Sequence, residues 1–296
     1  MSANPTFSFG VHTETLWIES TSARLFTTVY PRQNAETVIL LHGGPGVPMD
    51  FSPVAELLSR KYQVIAFDQR GTGRSPARGA TFSIEEYLKD VNAITHHLAV
   101  NKFHLFGHSW GGLYAQIYAE RNPQKVLSMF LCSPSSGTGE LWKQTESEVL
   151  SFNKGHSNRE GWSMMGIKAM FGMLGSDAAT QSLFKQVLEN YNKEFDPTFT
   201  ATDEMVKNVR AEPVNKTRRQ ILKYPLLKES VDPCFPIIVT YGQKDIYGAS
   251  KQEVKNRFPR AVFMEIENTG HIPWRHNPGK FNNILFEFYR IQMGKN

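Results

Sequence analysis

The chain has 296 residues, of which 40% are hydrophobic and 21% are charged. This composition supplies a large buried core and argues against a wholly disordered protein. The 33 basic and 28 acidic residues leave a net charge of +5. Basic residues form a tight cluster only at Lys216-Thr217-Arg218-Arg219, which we interpret as a solvated helix face, so nucleic acid is not an expected partner.

The ends and the cysteines of the chain bear on its location. Met1–Pro5 lacks the charged and apolar regions of a signal peptide, and no window approaches 18 continuous apolar residues, so we expect no membrane association. Cys132 and Cys234 lie in or beside apolar runs, which suits buried free thiols in a reducing compartment. These features predict a cytoplasmic protein, and they leave its oligomeric state open.

Apolar runs bounded by turn residues predict the strands. From Val38 onward these runs are continuous and not alternating, which is typical of parallel strands buried on both faces. The two runs before Val38 predict an antiparallel pair. In chain order the eight predicted strands are Leu16–Glu19, Ala23–Tyr30, Val38–Leu41, Val64–Phe67, Phe103–Phe106, Val126–Cys132, Ile237–Tyr241 and Val262–Ile266.

Helical segments alternate with these strands. Ser83 and Glu86 form a capping-box signature at the start of the second segment. The alternation predicts an α/β fold, a mostly parallel eight-stranded sheet with helices on both faces. The predicted helices are Val54–Lys61, Ile84–Leu98, Leu113–Arg121, Lys251–Arg257 and Phe281–Gln292.

The alternation stops between about Ser135 and Ser230, where no convincing strand is visible. We expect a helical cap at residues 135–230, and a core built from residues 1–134 and 231–296. Because open α/β sheets bind ligands at the carboxyl ends of their strands, the cap should cover that edge. Its predicted helices are Leu141–Asn153, Ser163–Leu174, Ala178–Tyr191, Asp203–Arg210 and Lys216–Leu222.

Gly107-His108-Ser109-Trp110-Gly111 lies between a predicted strand and a predicted helix. This G-x-S-x-G pattern is that of a nucleophile elbow, in which the serine occupies a strained turn. Residues two positions either side of Ser109 must lack a bulky Cβ because the turn is crowded. We therefore predict that Ser109 is the nucleophile.

A nucleophilic serine needs a base, and the base needs an orienting acid. His271 and Asp245 each follow a late predicted strand, in the chain order Ser, Asp, His that this kind of site uses. We assign His271 as the general base and Asp245 as its orienting carboxylate. Asp232 and Glu140 are the rivals for that carboxylate, but Asp232 precedes its strand and Glu140 falls in the cap.

An acyl-transfer site also needs donors for the tetrahedral oxyanion. The N–H of Trp110, directly after the nucleophile, is one predicted donor. The other is the N–H of Gly44, in the loop His42-Gly43-Gly44-Pro45-Gly46. Pro45 has no N–H and stiffens the loop. His42 is expected to be a buried structural histidine that bonds the loop backbone.

Three motifs together resemble the proline iminopeptidase-like group of α/β-hydrolases. They are His42–Gly46, Asp68-Gln69-Arg70-Gly71-Thr72-Gly73-Arg74-Ser75 and Gly107–Gly112. The resemblance covers nearly the whole chain outside the cap and implies an α/β-hydrolase fold, a helical cap and no cofactor. Within the second motif we expect Arg70 to pair with Asp68 or a neighbouring carboxylate. No histidine spacing fits a metal site.

The residues leave the substrate open between two classes of enzyme. An iminopeptidase must hold a free ammonium group, which requires carboxylates in the pocket. Glu212 is the best candidate for such a carboxylate. Ile246, however, follows Asp245 at a position where resembling aminopeptidases carry a glutamate. The cap also carries Trp162, Met165 and Phe171, and these tentative substrate contacts suit an apolar acyl pocket instead.

The leading expectation is a serine hydrolase that acts through an acyl-enzyme on a small ester, amide or short peptide. The proline iminopeptidase-like reading is favoured by the motifs, and a carboxylesterase or lactonase is its rival. A third hypothesis is a hydrolase-fold protein that binds ligands without turnover, because the fold also hosts non-enzymatic roles.

Overall fold

The computed structural model describes residues 11–77, 79, 81–229 and 233–293. One sheet of eight strands runs through this part of the chain. The strands are β1 (Glu14–Ser20), β2 (Ala23–Tyr30), β3 (Thr37–Leu41), β4 (Gln63–Phe67), β5 (Phe103–His108), β6 (Val126–Cys132), β7 (Ile237–Gly242) and β8 (Val262–Ile266). Their order across the sheet is β1-β2-β4-β3-β5-β6-β7-β8.

The predicted mixture of strand directions is confirmed. β1 and β2 pair antiparallel, as do β2 and β4, whereas every pair from β4 to β8 across the sheet is parallel. The parallel strands therefore present their carboxyl ends at one edge, where loops from β3, β5, β7 and β8 meet. This edge is where the candidate catalytic residues lie.

Helices connect the strands and fill both faces of the sheet. They are α1 (Ser52–Ser59), α2 (Ile84–His97), α3 (Trp110–Arg121), α4 (Glu140–His156), α5 (Arg159–Met173), α6 (Asp177–Asn192), α7 (Asp203–Val206), α8 (Ala211–Lys223), α9 (Lys251–Arg257), α10 (Pro273–His276) and α11 (Pro278–Met293). As predicted, Ser83 caps α2, since its hydroxyl accepts a hydrogen bond from the N–H of Glu86.

The core lies in two layers, one on each side of the sheet. In β3, Ile39 and Leu41 pack into the layer that contains α2 and α3, while Val38 and Leu40 pack into the layer with α1 and α11. Successive strand residues point to opposite faces, so a strand covered on both sides must be apolar at every position. This explains why the strand sequences are continuous apolar runs.

The helices between β6 and β7 agree with the prediction in number and differ in their bounds. α7 ends at Val206, four residues before the predicted Arg210, and α8 begins at Ala211, five residues before the predicted Lys216. Pro213 accounts for the second difference. It lies in the first turn of α8, where a helix tolerates proline because the N–H groups have no acceptor within the helix.

These helices contact the loops at the carboxyl edge of the sheet. Val214 of α8 lies against Gly46 in the loop after β3, and Phe195 lies against Gly270 in the loop after β8. Glu148 of α4 accepts hydrogen bonds from the backbone of Gly248, in the loop after β7. Helices α4 and α8 and the turn after α6 thus lie beside the loops that carry the site.

The thiols differ from the sequence expectation in one respect. Cys132 is buried, but Cys234 is exposed. Cys234 follows Pro233 in the loop before β7 and is not part of a strand, so the sheet does not cover it.

Among the described residues no helix is both long and apolar enough to cross a membrane, and no group of three or more acidic, histidine or cysteine side chains is arranged around a common metal position.

Candidate active site

Ser109 lies in the tight turn between β5 and α3. Its backbone has φ 54° and ψ −120°, a strained region that side chains rarely adopt. The turn is crowded: a Cβ on Gly107 would lie 2.4 Å from the carbonyl oxygen of Gly111, and a Cβ on Gly111 would lie 2.0 Å from that of Leu41. Glycine at these two positions allows the elbow to form and places Ser109 at the carboxyl edge of the sheet.

Asp245 and His271 form a close acid–base pair at the same edge. Nδ1 of His271 lies 3.0 Å from Oδ1 of Asp245. The hydroxyl of Ser133 donates to Oδ2 of Asp245 at 2.6 Å, and the N–H groups of Gly242 and Tyr247 donate at 3.2 Å and 3.3 Å. These donors fix the carboxylate, so it can orient the imidazole.

The same contacts set the charge of Asp245. Burial by itself raises the pKa of this carboxyl. The charge and hydrogen bond of His271, the hydroxyl of Ser133 and the nearby Lys251 oppose that effect, and the net result lowers the pKa of Asp245 to about 2. Asp245 is therefore a carboxylate at neutral pH.

The loop that carries His271 is held by two further histidines. Nε2 of His108 donates to the carbonyl oxygen of His271 at 2.8 Å. Burial lowers the pKa of His108 to about 3, so this ring is neutral and its single proton is on Nε2. Nδ1 of His276 accepts a hydrogen bond from the N–H of Gly270 at 3.0 Å. The imidazole of His271 is thus fixed through its backbone as well as through Asp245.

Ser109 has a partner that the sequence analysis missed. Its Oγ lies 3.2 Å from the hydroxyl of Tyr247, and that hydroxyl lies 2.8 Å from Oγ of Ser135. In the part of the chain that the structure describes, no hydrogen bond joins Ser109 to His271. The position of Tyr247, two residues after the predicted acid, is the only sequence signal that could have pointed to it.

Two backbone N–H groups are available for an oxyanion. No acceptor within the described ranges takes a hydrogen bond from the N–H of Gly44 or of Trp110. The loop of Gly44 closely approaches the nucleophile, because a Cβ on Gly43 would lie 3.0 Å from Cβ of Ser109. His42 is buried and its Nδ1 lies 2.9 Å from the carbonyl of Gly43, which agrees with its predicted structural role.

Arg70 pairs with a carboxylate outside its own motif. Its Nε and Nη2 donate to Asp90 of α2 at 2.8 Å and 2.6 Å, and both side chains are fully buried. Asp68, the first partner expected from the sequence, instead pairs with Arg74 at 3.2 Å. The sequence did not identify Asp90 as the partner of Arg70, because the two residues are 20 positions apart and meet only in the folded chain.

The structure does not bring the tentative substrate residues to the triad. Glu212 is exposed, pairs with Lys216, and lines a cleft of about 250 Å³ that none of the triad residues lines. Met165 packs inside the cap against Asn190, and Phe171 is 49% exposed. Trp162 is half-buried and makes no aromatic contact with the triad among the described residues.

Neither rival carboxylate takes the position of Asp245. Glu140 lies at the start of α4, where it is exposed and pairs with Lys143. Asp232 lies outside the described residues. The predicted neighbours Ser109, Asp245 and His271 do meet at one edge of the sheet, and the ring of Tyr247 packs against that of His271 with centroids 5.1 Å apart.

The fold and its motifs match a known family. Residues 36–274 match the family model described as the alpha/beta hydrolase fold. The chain belongs to the α/β-hydrolase family. This confirms the fold class that the sequence predicted, with strand β5, the elbow at Ser109 and helix α3 in the expected order.

The resemblance of this α/β-hydrolase to proline iminopeptidases is also confirmed. The chain is 32% identical over 133 residues to the proline iminopeptidase of Lactobacillus helveticus, a match that spans 43% of this chain and 45% of that protein. The match thus spans less than half the length of this relative.

Solved structures resemble the chain over a longer range. The proline iminopeptidase of Mycobacterium smegmatis has a TM-score of 0.65 at 20% identity, covering 96% of this chain and 100% of that one. The enol-lactonase of Burkholderia xenovorans LB400 has a TM-score of 0.67 at 18% identity, covering 93% of this chain and 100% of that one. At these identities the likeness extends to the fold alone.

Proposed function

We propose that this α/β-hydrolase is a serine hydrolase that cleaves a small ester or amide through an acyl-enzyme. The observation that carries the proposal is the 3.0 Å contact between His271 Nδ1 and Asp245 Oδ1, at the sheet edge where Ser109 occupies its strained elbow. A base oriented by a carboxylate, beside a serine in such a turn, is the arrangement that nucleophilic catalysis requires.

The proposed reaction has two half-reactions. In the first, Nε2 of His271 takes the proton of Ser109 as Oγ bonds to the acyl carbon. The N–H groups of Gly44 and Trp110 stabilise the resulting oxyanion, and His271 then gives the proton to the departing alcohol or amine. In the second, water loses its proton to His271 and attacks the acyl carbon, and the proton returns to Ser109 as the acid leaves.

A fluorophosphonate probe tests the proposal without knowledge of the substrate. The probe should label the folded wild-type protein at Ser109, and the label should be absent from S109A. S163A, which changes an exposed serine on α5, is the matched control and should label like wild type. Absence of labelling at Ser109 in folded wild type would refute the hydrolase proposal and favour a ligand-binding role.

Aminopeptidase activity on an N-terminal proline is supported by the sequence relatives. Their names give this activity to those proteins, and the three motifs of the present chain resemble those of the proline iminopeptidase-like group. The substrate of this chain would then be a short peptide with a free N-terminus, and a carboxylate would have to approach its ammonium group. A prolyl arylamide is the substrate that tests this candidate.

Ester or lactone hydrolysis is the second candidate, and the surroundings of Ser109 favour it. The hydroxyl of Tyr247 lies 3.2 Å from Oγ of Ser109 and 2.8 Å from Oγ of Ser135, and uncharged hydroxyls suit a neutral substrate. Carboxylates of the cap are engaged elsewhere: Glu212 pairs with Lys216 and Glu148 accepts bonds from the backbone of Gly248 and Ser250.

A parallel assay separates the two candidates. Turnover of a prolyl arylamide would support the aminopeptidase, and a fall in that turnover in E212A would show that Glu212 holds the ammonium group. Turnover of short-chain aryl esters alone, unchanged in E212A, would support the esterase. E140A is the matched control, because Glu140 of α4 is another exposed glutamate paired with a nearby lysine, Lys143.

The placement of the cap belongs to this proposal as well. We propose that residues 135–230 form a cap over the site, on the contacts of Val214, Phe195 and Glu148 with the carboxyl-edge loops. A cytoplasmic location stays a prediction from the sequence, and localisation of a tagged full-length chain tests it.

A further inference from the structure

Among the described residues, Tyr247 is the one side chain that hydrogen-bonds to the side chain of Ser109. Its hydroxyl lies 3.2 Å from Oγ of Ser109, and it is held from the other side by Oγ of Ser135 at 2.8 Å. Tyr247 is 4% exposed and Ser135 is 1% exposed, so both bonds are buried. The three hydroxyls therefore form a short buried chain that ends at the nucleophile.

The backbone of Tyr247 is held by Asp245, the proposed orienting carboxylate. Its N–H donates to Oδ1 of Asp245 at 3.3 Å, the same oxygen that lies 3.0 Å from His271 Nδ1. Its ring packs edge-on against the imidazole of His271. Because the ring and the backbone are both held, the hydroxyl has little freedom to move away from Ser109 by itself.

The contact matters because Ser109 has only one hydroxyl proton. Acylation requires that proton to move to His271, so Oγ must approach the imidazole. In the described residues Oγ lies within bonding distance of Tyr247 and makes no hydrogen bond to His271. If Ser109 donates to Tyr247, that bond must break before the proton can reach His271. If Tyr247 donates, the proton of Ser109 is free, but Oγ must still move from its present position to bond to the imidazole.

Tyr247 also lines an open cleft. With Gln144, Glu148 and Phe152 of α4 it borders a cavity of about 360 Å³. Burial raises the pKa of Tyr247 to about 12, so the phenol is neutral at working pH and keeps its proton for hydrogen bonding.

We propose that Tyr247 is a positioning residue that holds Ser109 away from His271 in the substrate-free enzyme, and that release of this hydrogen bond is part of acylation. The inference rests on the proposed serine hydrolase function. If Tyr247 restrains Ser109, its removal should speed the attack by Ser109. A substitution that only disturbs the fold should slow that attack.

The test is the rate at which an alkyl fluorophosphonate labels Ser109. In that reaction the bond from Oγ to phosphorus forms, the phosphorus–fluorine bond breaks, fluoride leaves, and the serine proton passes to His271. Y247F keeps the ring and removes the hydroxyl, and should raise the second-order labelling rate constant about fivefold, the loss of one ordinary hydrogen bond from the resting state. S135A should raise it less, because Tyr247 then keeps its own bond to Ser109.

Y191F is the matched control. Tyr191 also packs its ring against His271, with centroids 5.4 Å apart, but its hydroxyl makes no hydrogen bond to Ser109. Y191F should label like wild type, and thermal unfolding should show that each variant is folded. Labelling of Y247F at the wild-type rate or more slowly would overturn this inference alone. Absence of labelling in wild type would overturn the proposed function itself.

Discussion

The indole Nε1 of Trp110 donates a 2.9 Å hydrogen bond to Oε1 of Gln69. The Nε2 of the same glutamine donates to the carbonyl oxygen of His42, also at 2.9 Å, and its backbone N–H donates to Nε2 of His42 at 3.1 Å. Gln69 is fully buried. One side chain therefore links the loop of Gly44 to the residue after the nucleophile, the two sources of the proposed oxyanion donors.

Replacing Gln69 should therefore lower the rate of the chemical step. Loss of one oxyanion donor costs about 10²–10³ in kcat, and Q69L displaces donors without removing them, so we expect a loss of about tenfold in kcat with little change in KM. The measurement is steady-state kinetics on an aryl ester that wild type hydrolyses.

Gln63 provides the control for this prediction. It lies at the start of β4, the strand that precedes Gln69, at the edge away from the site, and its side chain donates to Thr37. Q63L should leave kcat unchanged. Equal kcat for Q69L and wild type would show that the link between the loops does not position the donors.

The Asp245 carboxylate should stabilise the fold in a pH-dependent manner. Its folded pKa of about 2 lies below the ordinary value of 3.8, so the stabilisation is present above about pH 4 and is lost as the pH falls towards 2. The shift corresponds to about 2 kcal/mol in the free energy of unfolding. Urea unfolding of wild type and D245N at intervals from pH 2 to 5 measures it.

The difference in unfolding free energy between wild type and D245N should shrink as the pH falls through this window. D203N makes the same change at an exposed cap carboxylate, whose side chain is 95% exposed, and its difference from wild type should stay flat. A wild-type advantage over D245N that persists at pH 2 would contradict the proposed ionisation.

Loss of one partner from the pair of Arg70 and Asp90 should lower the free energy of unfolding. Both side chains are fully buried. Removal of Asp90 leaves Arg70 with only its longer 3.5 Å ion pair to Glu86, and loss of one member of a buried pair costs about 3–5 kcal/mol. D90L should lose that amount of unfolding free energy. The double variant R70M/D90L should recover most of it, because apolar side chains replace both charges.

The exposed pair of Arg74 and Asp68 is the comparison. Surface ion pairs contribute about 0–1 kcal/mol, so R74Q should change the unfolding free energy by less than that. The experiment is urea denaturation of all four proteins at neutral pH. A double variant as unstable as D90L would mean that packing of Arg70 and Asp90, and not their charge, supports this region.

Arg70 and Tyr247 illustrate which parts of the structure could be read from the sequence. The elbow at Ser109 and the positions of Asp245 and His271 follow from local patterns, because a strand, a tight turn and a helix each leave a signature within a few residues. Asp90 and Ser135 meet their partners through the register of the sheet and the packing of α2. Such contacts have no local signature, so they became visible only in the fold.

The cap illustrates the same limit. Trp162, Met165 and Phe171 have the composition of an apolar pocket, but composition does not reveal which side of α5 faces the core. Met165 packs inside the cap and Phe171 is largely exposed. Pro213 likewise made the start of α8 hard to predict, since the sequence does not distinguish a proline in the first turn of a helix from one that ends a helix.

The glycines of the elbow should tolerate no side chain. A Cβ on Gly107 would lie 2.4 Å from the carbonyl oxygen of Gly111 and 2.8 Å from Cα of Gly112. These are backbone atoms, which cannot move aside without shifting the turn that holds Ser109. G107A should therefore lower the rate of fluorophosphonate labelling and destabilise the protein by about 1–3 kcal/mol, the usual cost of overpacking.

Gly155 of α4 is the matched control for G107A, because a Cβ there would meet nothing within 4 Å. Alanine is the better helix former, so G155A should raise the unfolding free energy by about 0.5–1 kcal/mol and leave the labelling rate unchanged. The two variants thus add the same methyl group with opposite effects on stability. Wild-type labelling by G107A would mean that the turn relaxes around the methyl group and that the crowding at Gly107 does not hold Ser109 in position.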